Sequence, residues 1–230
     1  MGFGLVVVGK SMHLTLAKAG LGIAVALVLP VYAAATVCDG PPALRTKIQT
    51  HPDAATLTEL GMWFGDHQQY DCAIEAFRSA LKLDTESARL NYLLGLTLFS
   101  SGHAGDAAAP LQESVRLAPD NLRAHLILGA TLAQLHKNDD AKAEWAAALK
   151  IDPHSSEAID FLSRMQVAEG DYGAAIALLR DAKLDEDLSL RLSYAYDKSG
   201  NLDKAEEVVK AACVRSRLPC PWLVLWKRFW

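Results

Sequence analysis

From Leu93 to Pro119 the chain reads LLGLTLFSSGHAGDAAAPLQESVRLAP. Apolar positions recur at helical spacing on either side of a turn at Ser101-Gly102. Gly95 lies at the centre of the first stripe, Ala107 to Ala109 open the second, and Pro119 ends it. The same pattern comes back before and after this stretch, in units starting at Ala54, Ala88, Leu122, Ser156 and about Glu186. Three of the steps are 34 residues and the last is about 30. A cycle of that length predicts stacked helical hairpins, each touching only its neighbours, rather than a globule around one core. Function is then a question about surfaces.

Each unit repeats the same sizes at the same places. A small residue in the first helix falls on Gly61, Gly95, Gly129, Ser163 and Ser193. Alanine follows at Ala73, Ala107, Ala141, Ala175 and Ala205, and a large residue at Phe77, Leu111, Trp145, Leu179 and Val209. A second small residue falls on Ala80, Ser114, Ala148, Ala182 and Ala212. Pro119 and Pro153 close the second and third units, and Thr85 takes that place in the first. Two antiparallel helices approach closely only where side chains are small, so Gly95 is expected to face the Ala107 region with larger knobs beside it. Glu169-Gly170-Asp171 and Ser199-Gly200-Asn201 supply further turns.

On these residues, in phase over about 160 positions, the chain resembles the tetratricopeptide repeat family. The resemblance implies an all-α fold, a right-handed solenoid of about five helix-turn-helix repeats, and the amino-terminal residues add a signal or anchor helix ahead of it. The expected divisions are a signal or anchor at 1–35, a leader at 36–53, repeats at 54–87, 88–121, 122–155, 156–185 and 186–213, and a tail at 214–230. Two residues depart from the pattern. Pro110 should shorten or kink the second helix of its repeat unless it lies in the first turn. Gln166 stands where the family prefers an aromatic, which predicts loose packing in the fourth repeat.

The amino terminus has its own character. Lys10, His13 and Lys18 precede the uncharged stretch Ala19 to Val37, and small residues follow at Ala33 to Ala35. That is the layout of a secretory signal peptide, cleaved after Ala33 or Ala35; the alternative is an uncleaved anchor, since the run is just long enough to span a bilayer. Gly4 to Ser11, GLVVVGKS, matches the phosphate-loop pattern letter for letter. It lacks the preceding strand that would fix such a loop, so an enzyme built on it is not expected.

A net charge of -4 gives no reason to expect nucleic acid, which needs clustered Lys and Arg. The histidines are scattered, no metal-ligand pair or nucleophile elbow is visible, and neither a cofactor nor a metal is expected. Four cysteines, Cys38, Cys72, Cys213 and Cys220, remain after signal removal. Because solenoid units touch only neighbours, Cys38 with Cys72 and Cys213 with Cys220 is the preferred pairing; four free thiols are the alternative. The tail VRSRLPCPWLVLWKRFW holds four basic residues and no acid. It reads as a hydrophobic cap, a membrane- or partner-binding segment, or the cut end of a longer array.

By resemblance, the concave groove is lined by set positions of each first helix. These give Met62; Arg89, Tyr92, Leu96 and Phe99; Arg123, Leu126, Ala130, Ala133 and Gln134; Arg164; and Tyr194. Family members that clamp a terminal carboxylate use Lys and Asn at places here held by Thr58, Met62 and Tyr92, so that ligand is not expected. The groove predicts a partner segment with apolar anchors and an acid near Arg89 or Arg123. The alternative is that Leu96, Phe99 and Leu126 are buried between helices and the arginines are merely solvated. The function expected is a non-catalytic protein-protein interaction scaffold of the bacterial cell envelope, periplasmic or secreted. The second reading is an inner-membrane-anchored assembly factor or chaperone-like adaptor.

Overall fold

The structure, a computed structural model, describes residues 5–8, 11–14, 38–50 and 52–216. It divides into two units, Met1–Asp39 and Gly40–Trp230. In the first, β1 (Leu5–Val8) pairs antiparallel with β2 (Ser11–Leu14), Val8 opposite Ser11. Ser11, the last letter of the phosphate-loop match, therefore lies in a strand and does not open a helix. The apolar run expected to form a signal or anchor helix, and the tail from residue 217 onward, lie outside the described residues. Among those described, no helix is long and apolar enough to cross a membrane.

Among the described residues of the second unit, every regular element is a helix. α1 (Pro42–Thr50) leads into five pairs: α2 (Ala54–Asp66) with α3 (Tyr70–Leu83), α4 (Ala88–Ser100) with α5 (Ala104–Leu117), α6 (Leu122–Gln134) with α7 (Asn138–Ile151), α8 (Ser156–Glu169) with α9 (Tyr172–Arg180), and α10 (Glu186–Lys198) with α11 (Leu202–Ser216). This is the expected solenoid of helical hairpins.

Local chemistry starts each first helix in the same way. The residue just before it accepts a hydrogen bond from a backbone N–H of the first turn: Asp53 from Thr56, Ser87 from Leu90, Asn121 from Ala124, Ser155 from Ala158 and Asp185 from Leu188. Such caps satisfy donors that the helix itself leaves open. The turn to the second helix is also uniform. One residue there takes a left-handed backbone in every pair: Gln68, Gly102, His136, Gly170 and Gly200, with φ between 58° and 83°. Glycine adopts this conformation freely, whereas a side chain costs about 1–2 kcal/mol there.

Within each pair, size complementarity sets the separation. A Cβ at Gly61 would lie 2.6 Å from Phe77 Cε1, and one at Gly95 would lie 2.5 Å from Leu111 Cγ. At Gly129 it would collide with the Trp145 indole, whose Nε1 donates to the Leu126 carbonyl. Gly95 thus makes room chiefly for Leu111, and the Ala107 carbonyl lies just beyond. In the last pair Ser193 adds a bond to its packing, its Oγ donating to the Ala205 carbonyl at 3.0 Å.

Pro110 does not shorten its helix: α5 runs 14 residues, the same as α3 and α7. The irregular unit is the fourth. α9 has only nine residues, and Gln166 carries a buried Oε1 without a hydrogen-bond partner. At the equivalent place the other pairs bury Phe64, Leu98, Leu132 and Tyr196. The core divides here as well, one cluster running from Phe64 to Ala158 and the other from Ile159 to Ala205.

Two substitutions test these points by thermal melting. Gln166→Leu removes an unsatisfied buried acceptor and should stabilise the chain by about 1–3 kcal/mol. His136→Gly relieves the left-handed backbone and should stabilise it by about 1 kcal/mol. An unchanged or lower Tm for either variant would contradict the corresponding packing or backbone argument.

Candidate functional site

Consecutive first helices touch one another along the array: α4 with α6, α6 with α8, and α8 with α10. No comparable contact joins α3 with α5, α5 with α7 or α7 with α9. A stack drawn together on one side and splayed on the other curves toward the touching side. The first helices therefore line the inner face, and the positions expected to form a groove belong to them.

Side chains link neighbouring first helices across this face. The Arg89 guanidinium reaches Met62 Sδ, with Nη2 at 3.7 Å, joining α4 to α2. Asp160 accepts from two arginines at once, Arg164 at Oδ2 and Arg191 at Oδ1, each at 2.7 Å. Arg191 is only 13% exposed and also donates to Ser163 Oγ at 3.0 Å, so α8 and α10 share a half-buried polar joint. Removing one partner of such a pair costs more than breaking an exposed one, because the charge left behind is partly desolvated.

The expected lining residues divide into three groups. Met62 and Tyr194 are exposed, at 41% and 42%, as are Arg89, Arg123, Gln134 and Arg164. Tyr92, Leu96, Phe99, Ala130 and Ala133 are half-buried, with Tyr92 and Phe99 resting on the core below. Leu126 is different. At 5% exposure it belongs to the core, so it offers almost no side-chain surface to a ligand, a correction to its place in the groove. Tyr194 meets Tyr172 edge to face at 6.2 Å, and Lys198 Nζ lies 5.3 Å from the centre of its ring. Arg164 is engaged by Asp160, which leaves Arg89 and Arg123 as the more available cations.

Tyr92 sits where three helices meet electrically. Burial raises its hydroxyl above the ordinary tyrosine range; Arg123 on α6 pulls it back, and Glu157 on α8 raises it further. The phenol therefore stays protonated and able to donate through the whole physiological range. Between α2 and α4, one turn before Tyr92 at Arg89, an open cleft of about 440 Å³ is lined by Ala55, Thr58, Met62, Ser87 and Arg89 among others. It is large enough for one ligand side chain.

Residue-by-residue reasoning missed Glu157, Asp160, Asp187, Leu190 and Arg191. The first four occupy lining positions of the fourth and fifth repeats. They were legible from the repeat register, but a search for arginine and aromatic anchors passed over them. Arg191 had no such signal, because its role depends on how α10 is set against α8. Among the described residues, no group of three His, Cys, Asp or Glu side chains is placed to hold a metal ion. Cys38, Cys72 and Cys213 are each disulfide-bonded.

Comparison with known proteins bears on the fold. The family described as anaphase-promoting complex, cyclosome, subunit 3 matches residues 66–144, and the tetratricopeptide repeat family matches residues 187–213. No curated protein matches the chain. Among solved structures, YrrB, described as a TPR protein with an unusual peptide-binding site, superposes with a TM-score of 0.68 at 19% identity, covering 82% of this chain and 98% of its own. MamA gives 0.63 at 20% identity, covering 71% and 92%. The first TPR of Spaghetti (RPAP3), bound to the HSP90 peptide SRMEEVD, gives 0.50 at 23% identity, covering 51% and 94%. At these identities the likeness is one of fold. Taken with the in-phase repeats and the helix pairs, it makes the chain a tetratricopeptide-repeat protein.

Proposed function

We propose that the chain is a non-catalytic scaffold that holds a partner polypeptide segment along the inner face of its first helices. The observation that carries this reading is the Tyr92 neighbourhood. A protonated phenol, the exposed guanidinium groups of Arg89 and Arg123, and the half-buried Leu96 and Phe99 share the first-helix face, and Arg89 also lines an open cleft. Tyrosine and arginine anchor interfaces more often than other side chains, because each combines a large apolar body with directional polar groups. Two similarly folded proteins are described by their peptides, YrrB by a peptide-binding site and Spaghetti by a bound HSP90 peptide.

The setting we propose is the cell envelope, with the chain periplasmic or secreted after signal cleavage. The disulfide-bonded cysteines fit an oxidising compartment. The uncharged stretch Ala19 to Val37 fits an export signal or an anchor. The pairing proposed is Cys38 with Cys72 and Cys213 with Cys220. The second reading, an inner-membrane-anchored assembly factor, differs only in retaining the amino-terminal segment.

Two measurements test the proposal. Partner recovered from envelope extract on the immobilised mature chain should fall at least tenfold with the Tyr92→Ala/Arg123→Glu variant, and equal recovery would remove the groove. The unreduced chain isolated from cells should begin just after Ala33 or Ala35 and weigh four hydrogens less than the reduced chain. A start at Met1 or Met12 would favour the anchored reading, and a mass without that deficit would reject both bridges.

A further inference from the structure

The second residue of each first helix is Ala55, Arg89, Arg123, Glu157 and Asp187 in turn, and all five are exposed. Read along the array, this row carries two positive charges and then two negative ones, reversing sign between the third and fourth repeats. None of the four charges has an ion-pair partner among the described residues. Other charges on the same face are already paired: Asp160 is taken by Arg164 and Arg191.

Helix stability does not account for the row. Acids in the first turn of α8 and α10 complement the helix dipole, so Glu157 and Asp187 are favourable where they stand. Arg89 and Arg123 are not. Each sits in the first turn of a helix that has no acid there, where the dipole disfavours a cation. The unfavourable choice is made twice, at equivalent positions, and among the described residues no carboxylate lies within ion-pair distance of either guanidinium. Arg123 and Glu157, the two members at the change of sign, both act on the Tyr92 phenol from neighbouring helices.

We infer that the partner segment is bipolar, an extended polypeptide presenting acids to Arg89 and Arg123 and bases to Glu157 and Asp187, with apolar residues at its acidic end over Tyr92, Leu96 and Phe99 of α4. This rests on the inner-face reading above and adds the chemistry of the occupant. Spacing follows from the array. Neighbouring helices lie roughly 8–10 Å apart, so the centres of the positive and negative pairs are about 16–20 Å apart. Extended chain advances about 3.3 Å per residue, which sets the acidic and basic groups some five or six residues apart.

The test uses the full chain and three labelled synthetic peptides of equal length with the same Leu and Phe anchors: one bipolar at that spacing, one with acids at both ends and one with bases at both ends. Fluorescence anisotropy at low salt should show the bipolar peptide binding about tenfold more tightly than either other, the scale of two exposed ion pairs, with the preference shrinking as salt is raised. Arg89→Glu/Arg123→Glu makes the row wholly acidic and should transfer the preference to the basic peptide. Glu157→Arg/Asp187→Arg makes it wholly basic and should transfer it to the acidic one. Melting curves for both variants confirm folding. Equal binding of the three peptides, binding of none, or variants that keep the wild-type preference would each overturn the inference, as would peptide binding lost at protein concentrations where the chain self-associates, which would make a second copy the occupant. If the charge preference fails while partner recovery still depends on Tyr92 and Arg123, the groove stands and only the bipolar partner falls.

Discussion

The fit of a large side chain into the space left by a missing Cβ fixes the geometry on which the rest of this structure depends. Phe77, Leu111 and Trp145 occupy the room that Gly61, Gly95 and Gly129 leave. Any side chain at those glycines would force the second helix outward or strip the knob from its rotamer, at a cost of roughly 1–3 kcal/mol. With the separation set inside each pair, the pairs stack through their first helices, and the polar joints Arg89–Met62 and Asp160–Arg191 link first helices of successive units. The inner face follows from packing decided elsewhere. Residues on it are free to vary in charge and shape, which is how a row of positive then negative charges can be laid on an otherwise repetitive surface.

The fold was largely legible because its signals are periodic. Small residues at one place and large ones at another recur in phase, and a 34-residue cycle has few physical interpretations. The failures came where one local rule had to be weighed against the whole stack. Pro110 breaks a rule for isolated helices, yet α5 keeps its full 14 residues because contacts with α4 and α6 hold it. Gln68 and His136 carry no turn signature, yet both take the left-handed backbone that glycine takes at Gly102, Gly170 and Gly200. The register of the repeat could have found them, since all five occupy one position. Gln166 was correctly singled out as misplaced; that its Oε1 would be buried without a partner required the structure.

The candidate site was legible in outline and incomplete in detail. Positions borrowed from the family located the first-helix face, but not which side chains lie on its surface. Leu126 and Leu96 occupy neighbouring repeats and look alike in sequence, yet one is core and the other half-exposed. Arg164 looked like an available cation until Asp160 was found to hold it. Sequence types indicate what a residue can do; ion pairing and burial decide whether it is available to a ligand.

The central claim is that the first helices, and not the second, face the partner. Site-specific photocrosslinking in intact cells tests it most directly, with a photoreactive residue placed in turn at Arg89, Arg123 and Tyr194 on the first helices and at Arg78, Gln112 and Lys150 on the second. The account predicts one crosslinked partner band of the same mass from the first three positions and none from the other three. Crosslinks arising from the second-helix positions, with the first-helix positions silent, would contradict it.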